Sequence, residues 1–307
     1  MPVRIRQEIQ TLPRPGRLTS RLTLEASTAR SEALAGLIET FQLNGVENPR
    51  REARLSLCAA SGVSQLALIT APREPLGSAA GNVREFTMRR AAGEPLSRIV
   101  GKREFWGLSL TISPHVLDPR PETESVVEAS IAVLSDRRDE QLRILDLGVG
   151  SGSLLCALLV EFANARGIGV DISADAADVA LGNLDACGLS ERGGIRVGDW
   201  TNGLEGLFDL IIANPPYIPT ADLRRLPREV RDFDPWLALD GGIDGLAAYR
   251  QILPGSRRLL APGGWLLAEL GASQAAKVTA IANQCGFTDV TTCQDLAGVD
   301  RVAAIRP

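Results

Sequence analysis

The sequence predicts an α/β protein: a doubly wound, mostly parallel Rossmann-like sheet, preceded by a small helical domain and a linking β-hairpin. Three observations carry this. From residue 141 onward, short apolar runs of strand character alternate with helical ones. The first strand of that series runs into Asp146-Leu147-Gly148-Val149-Gly150-Ser151-Gly152, a glycine-rich turn that opens a helix. Residues 32 to 90 show helical spacing and no two-residue alternation.

The elements follow in order. EALAGLIETFQLNG sets Leu34, Leu37, Ile38, Phe41 and Leu43 near helical spacing and stops at Gly45. NPRREARLSLCAASG predicts a second helix, capped by Asn48, opened by Pro49 and closed at Gly62. VREFTMRRAAG reads as a third. SRIVGKREFWG and LSLTISP flank Gly107 with β-rich residues, which predicts a hairpin. A proline-bounded loop then leads into a helix with Glu122 and Glu124 in its first turn, favourable at the positive helix end. LRILDLG, GIGVDI, IRVGDW, FDLIIANPPY, GGWLLAEL, FTDVTTCQDL and RVAAIRP supply strands. SGSLLCALLVEFA, ADAADVALGNLDACG and AAKVTAIANQCG supply helices among them. The final two strands are close enough in sequence to form an antiparallel pair at the sheet edge. The domain organisation expected is an N-terminal extension over 1–30, disordered or loosely packed, a helical domain over 31–95, a hairpin linker over 96–118 and the α/β domain over 119–307. The extension holds six arginines against Glu8 and Glu25, and Pro13 and Pro15 argue against a transit peptide.

Composition narrows the function classes. The 307 residues are 45% apolar, enough for a sizeable core, but only 4% aromatic, which disfavours a stacking platform for single strands. With Lys+Arg 33 and Asp+Glu 37, the net charge of −4 disfavours a dedicated duplex binder. Cys58, Cys156, Cys187, Cys285 and Cys293 form no CxxC, and His115 is the only histidine, so no metal site is expected. Cys156 lies in an apolar run and reads as a buried thiol; His115 reads as a surface residue. No stretch suits a membrane span or secretory signal, and the reducing cytoplasm is the expected compartment.

The chemistry-bearing residues sit at successive strand ends. Gly148, Gly150 and Gly152 allow a sharp turn and close ligand approach to a helix start, with Val149 and Ser151 between them. Asp171, nineteen residues after Gly152, ends the second strand, where a carboxylate accepts ribose hydroxyls. It, or Ser173, is equally placed to cap the next helix. Asp199 and Trp200 close the third strand, where an acid can take an adenine amine and a ring can cover the base. Asn214-Pro215-Pro216-Tyr217 follows the fourth. An amide or aryl amine nitrogen is a poor nucleophile because its lone pair is delocalised, so methylating it demands positioning. The Asn214 carbonyl and the Pro215 backbone carbonyl can each accept an N–H, two prolines preorganise the loop, and Tyr217 can pack flat on a planar group. S-adenosylmethionine, with its sulfonium methyl, is the cofactor this chemistry calls for.

Together DLGVGSG, GVDIS, GDW, NPPYIP and EVRDFDPWLALDGGIDGLAAYR resemble the HemK/PrmC family of peptide-chain release factor glutamine methyltransferases. GVENPRREARLSL, EPLSRIVGKREFWG and PRPETE agree, so the resemblance runs from about residue 32 to the end. It implies a class I methyltransferase fold with S-adenosylmethionine held by Gly148, Val149, Gly150, Ser151, Gly152, Asp171, Asp199, Trp200 and Asn214. Phe105, Thr123 and Glu124 would complete that pocket. It implies that Asn214, Pro215, Pro216 and Tyr217 grip the substrate amide, with Asn214 and Tyr217 as the catalytic pair. The substrate implied is N5 of the glutamine in the Gly-Gly-Gln motif of class I release factors, with the helical domain as docking module. Val149 stands where the family more often has Thr, and Asp118 where an apolar residue is commoner.

Two other enzymatic readings share parts of this pattern. An adenine-amine methyltransferase acting on nucleic acid uses the same Asn-Pro-Pro-Tyr grip, but only 90 residues follow Tyr217 and the chain is acidic, so nucleic acid is not the expected substrate. Ribosomal-protein glutamine methyltransferases usually carry PRSP where this chain has Pro119-Arg120-Pro121-Glu122-Thr123-Glu124. A binding protein with a dead site is a third reading, and intact Asn214 and Tyr217 argue against it.

Overall fold

The computed structural model describes Leu22, residues 24–295 and residues 297–307. Most of the extension expected over 1–30 lies outside the described residues. The chain forms two compact units. Described residues within Met1–Val100, with Pro227–Phe233, make the first; Gly101–Leu226 and Asp234–Pro307 make the second.

The first unit is helical, with helices Arg30–Leu43, Pro49–Ser61, Gln65–Thr70, Ala80–Ala91, Leu96–Val100 and the single turn Arg228–Arg231. Leu37, Phe41, Leu57 and Val83 are fully buried at its centre, in agreement with the spacing of the first helix. Gly62 closes the second helix at φ +71 as expected, where only glycine is unstrained. Asn48 corrects the sequence reading. It precedes Pro49 but sits at φ +48, and its side chain makes no capping bond; Pro49 alone sets the start. The segment Ser97–Val100 is a second correction, since it is helical and not the first arm of the hairpin. The carbonyl of Pro95 accepts from Arg98 N at 3.0 Å and Ile99 N at 3.1 Å, and closing that turn outweighs the local β preference. Arg90 is buried and pairs with Glu52 and Glu229, each at 2.7 Å.

The second unit opens with a hairpin, β1 (Lys102–Phe105) and β2 (Leu108–Thr111), joined by Trp106 and Gly107. Both turn residues have positive φ, the mirror-image turn that matches strand twist. A seven-stranded sheet follows: β3 (Arg143–Leu147), β4 (Arg166–Asp171), β5 (Gly193–Val197), β6 (Phe208–Ala213), β7 (Leu260–Glu269), β8 (Asp289–Gln294) and β9 (Asp300–Arg306), in the order β5-β4-β3-β6-β7-β9-β8. The first five in that order are parallel; β9 is antiparallel to both β7 and β8. The expected antiparallel pair therefore closes the sheet, with β9 inside and β8 at the edge.

Both faces of the sheet are covered, which is why its strands read as continuous apolar runs. On β3 the two-residue alternation sends Ile144 into one core, with Val126, Leu155 and Leu158, and Leu145 into the other, with Tyr249, Ile252 and Val278. Cys156 is fully buried in the first of these cores, as its apolar run predicts. After β5 the chain crosses back to place β6 on the far side of β3. Ligands in such sheets bind outside the strand C-termini at this reversal.

Candidate active site

Strand register assembles the site. Leu147 of β3 pairs with Ala213 of β6, so the turn beginning at Gly148 and the loop beginning at Asn214 leave the sheet side by side. Ala213 in turn pairs with Ala268 of β7, which puts Glu269 next to Asn214 on the other side.

The glycine turn is held by backbone bonds: Gly148 N and Val149 N both donate to the Val170 carbonyl, at 2.8 and 3.0 Å. Gly148 has φ +76, and a Cβ there would lie 3.2 Å from the Trp200 ring. Trp200 thus covers the turn at Gly148. At Gly152, φ +79, a Cβ would meet Ala180 at 3.2 Å, so the missing side chain lets the helix Ala174–Ala186 pack close. The Ser151 carbonyl accepts from Asn183 Nδ2 at 2.8 Å, a further brace. Val149 is buried, with its methyls against Gly169.

Asp171 ends β4 and does two things. Its Oδ2 accepts from Gly150 N and its Oδ1 from Ser173 N, each at 2.9 Å, while the Ser173 hydroxyl caps the next helix. A carboxylate has about four acceptor positions; these bonds use two and leave the half-exposed group able to accept more. Asp199 is exposed, with one oxygen accepting from Asn202 Nδ2 at 3.1 Å. Asp146 is buried, and burial with the nearby Asp171 charge pushes its carboxyl up to about 8.

The residues of the Asn214–Tyr217 loop are tied to parts of the chain far away in sequence. Asn214 Nδ2 donates to Thr123 Oγ1 at 3.2 Å. The Tyr217 hydroxyl donates to Glu269 Oε1 at 3.4 Å, and the Tyr217 carbonyl accepts from Gln274 Nε2 at 3.0 Å. Burial pushes the Tyr217 phenol up, with Glu269 adding to the shift. Burial also pushes Glu269 up to about 7, against the opposing pull of the Thr123 hydroxyl, Arg301 and the Tyr217 hydroxyl. Pro215 is buried and Pro216 half-buried.

The ALDGGIDGL and PRPETE segments act as scaffolding for this loop. Ile218 N donates to Leu239 O at 3.0 Å and Gly241 N donates to Ile218 O at 2.8 Å, laying one strip along the other. A Cβ on Gly241 would fall 2.8 Å from the Pro216 carbonyl oxygen, and one on Gly245 only 2.4 Å from that of Tyr217. On the other side, Arg120 Nη2 pairs with Asp234 Oδ2 at 2.5 Å and Asp118 N donates to Asp234 Oδ1 at 3.3 Å. The departure at Asp118 has a structural answer: its buried carboxylate faces Arg103 Nε at 3.6 Å. Glu124 accepts from Trp106 N at 2.9 Å, and Phe105 is wholly buried in the core. His115 is exposed, 3.5 Å from Asp175.

Sequence reasoning did not single out Glu269, Gln274 or Asp234 for the site. A lone carboxylate ending the apolar run LLAEL was a signal for the first; nothing local marked the other two. Among the described residues no cluster of His, Cys, Asp or Glu is arranged to hold a metal ion, and no helix is long and apolar enough to cross a membrane. The residues present do fit a nucleoside with a charged tail. They provide a glycine turn without side chains at Gly148, Gly150 and Gly152, a strand-end carboxylate with free acceptor capacity, and the Asp199–Trp200 pair one strand further on.

Residues 32–101 match the PrmC N-terminal domain family, and residues 126–225 match the methyltransferase small domain family. A release factor glutamine methyltransferase of Caulobacter vibrioides is 42% identical over 260 residues, covering 84% of this chain and 89% of that protein. The chain belongs to the release factor glutamine methyltransferase family. Another such release factor glutamine methyltransferase, from Rhodospirillum rubrum, is 44% identical over 267 residues, 87% of this chain and 81% of that one. Among solved structures, the catalytic domain of hMettl16 in complex with the MAT2A 3′UTR hairpin 6 has a TM-score of 0.54 at 18% identity, over 71% of this chain and 81% of that one. That likeness is one of fold. The class I methyltransferase architecture expected from the sequence is the one observed.

Proposed function

We propose that this chain transfers a methyl group from S-adenosylmethionine to the side-chain amide N5 of the glutamine in the Gly-Gly-Gln motif of class I peptide-chain release factors. The observation that carries this reading is Asn214, whose amine is taken by Thr123 so that its carbonyl is left for a substrate N–H, beside the glycine turn at the sheet's switch point. Bound S-adenosylmethionine supplies an electrophilic methyl on a positively charged sulfur. Asp171 accepts the ribose hydroxyls, Asp199 and Trp200 take the adenine, and Gly148 through Gly152 border the methionine portion. Asn214 Oδ1 and the Pro215 carbonyl accept the two amide N–H groups, turning the nitrogen lone pair towards the methyl group. Positioning of this kind, with a rigid Pro215-Pro216 loop, supplies most of the rate. Tyr217 packs against the amide plane. The helical unit docks the protein substrate, and Ile243, 96% exposed on the turn that buttresses Pro216 and Tyr217, offers it an apolar contact.

Incubation with labelled S-adenosylmethionine and a release factor tests this. Label should appear on the Gly-Gly-Gln peptide and vanish when that glutamine is alanine. Equal labelling of the alanine form, or preferential labelling of an adenine in an oligonucleotide, would rule the reading out.

A further inference from the structure

An asparagine can turn either its carbonyl or its amine towards a substrate, and its neighbours decide which. Asn214 Nδ2 donates to Thr123 Oγ1, so Thr123 receives that bond on a lone pair and must send its own proton elsewhere. Glu269 is the acceptor on that side. Its side chain is buried at the end of β7, where the Thr123 hydroxyl interacts with it and the Tyr217 hydroxyl donates to Oε1. Oε2 is buried and makes no hydrogen bond, so an ionised Glu269 relies on the Tyr217 hydroxyl bonded to Oε1 and on the nearby Thr123 hydroxyl. A carboxylate only accepts. An ionised Glu269, which can only accept, favours one direction along this row: Asn214 donates to Thr123, Tyr217 donates to Glu269, and the Thr123 proton is drawn towards the carboxylate beside it.

We propose that Glu269 is a positioning residue for amide methylation, which through Thr123 sets the Asn214 amide with its carbonyl towards the substrate and through Tyr217 holds the end of the catalytic loop. This rests on the function proposed above. With the polarity reversed, Thr123 would donate to Asn214, and Asn214 would present its amine to the substrate's amine, donor against donor. A protonated Glu269 allows that reversal, because it becomes a donor itself. The charged and titratable groups that bear on it are Arg301 from β9, Glu122 from the loop before the helix Glu124–Val133, Tyr217 from the catalytic loop and Tyr249 from the helix Ala247–Leu259; Arg120 acts on Tyr217. With Glu269 held near 7, kcat rises with pH through that value as the carboxylate forms.

The test uses the full chain, S-adenosylmethionine and a release factor, with kcat and KM measured from pH 6 to 8.5 and melting temperature as a folding control. Thr123→Val and Glu269→Gln should each lower kcat about 10- to 100-fold with KM for the release factor within about two-fold, the scale of a misplaced reacting group. Thr123→Ser, which restores the hydroxyl, should recover most of what Thr123→Val loses. The kcat inflection near neutral pH should disappear in Glu269→Gln. Wild-type kcat in Thr123→Val and Glu269→Gln, absence of rescue by serine, or an unchanged inflection in Glu269→Gln overturns the inference alone. A wild-type enzyme that cannot label the release factor overturns the proposed function, and this inference with it.

Discussion

The glycines after β6 act by backbone contact on the Asn214–Tyr217 loop, and Gly245→Ala measures how strongly. Gly245 has φ +75, and a methyl group there would sit 2.4 Å from the Tyr217 carbonyl oxygen and 2.8 Å from Gln274 Nε2. Neither approach is sterically allowed, so the loop must move. Holding alanine in the left-handed region costs about 1–2 kcal/mol. Displacing the Tyr217 carbonyl weakens its 3.0 Å bond from Gln274, worth about 1 kcal/mol. The sum is roughly 2–3 kcal/mol, which for a unit of this size lowers Tm by roughly 4–12 °C. The effect on rate is expected through Asn214, the proposed amide acceptor, three residues before Tyr217 in the same Pro-Pro loop. A displacement of the order of 1 Å costs about 100-fold in rate, so kcat should fall about 10- to 100-fold. Thermal unfolding followed by circular dichroism and initial rates at saturating release factor read both effects. A variant melting within about 1 °C of wild type with kcat within about two-fold would refute the buttress argument.

Further outcomes follow from other contacts. Asp171→Ala removes the acceptor for Gly150 N and Ser173 N as well as the proposed ribose ligand, and calorimetry should show S-adenosylmethionine Kd raised at least about 10-fold; unchanged affinity would remove Asp171 from the cofactor site. Asp146 is raised from 3.8 to about 8 by burial, chiefly, and so contributes stability that is complete below about pH 4 and lost as pH rises through 8. Melting temperature should therefore decline over that window, and Asp146→Asn should flatten the decline; an equal slope in the variant would show that Asp146 is not its source. Arg90→Ala leaves Glu52 and Glu229 without their shared partner in the helical unit and should destabilise it by about 2–4 kcal/mol, read by urea denaturation. A change below about 0.5 kcal/mol would mean that water replaces the guanidinium without loss.

The fold was legible because its determinants are local. Strands buried on both faces appear as apolar runs such as Phe208–Ala213, and the glycine turn, Asp171 and Asn214 occupy strand ends that the β/α alternation locates. The helix Leu96–Val100 was misread because β-branched residues at Ile99 and Val100 carry a strand preference that the Pro95 turn overrides. Glu269, Gln274 and Asp234 were not legible as site residues. Each meets the Asn214–Tyr217 loop or the PRPETE loop across tens of residues of sequence, and only the register of β6 against β7, or the folding back of the segment after β6, brings them there. The Asn48 cap failed for a related reason: a capping residue type stands at the capping position, but its backbone is left-handed instead of extended, and no side-chain capping bond forms.

In the proposed reaction, Asn214 in its Pro-Pro-Tyr loop positions one glutamine amide of a protein for methylation by S-adenosylmethionine. Mass spectrometry of the Gly-Gly-Gln peptide from a release factor incubated with S-adenosylmethionine and enzyme tests it most directly. One added methyl, on the glutamine side chain, is expected with the wild type, and a rate lower by about 100-fold or more with Asn214→Ala. An unmodified glutamine with the wild-type enzyme, or equal methylation by Asn214→Ala, would contradict it.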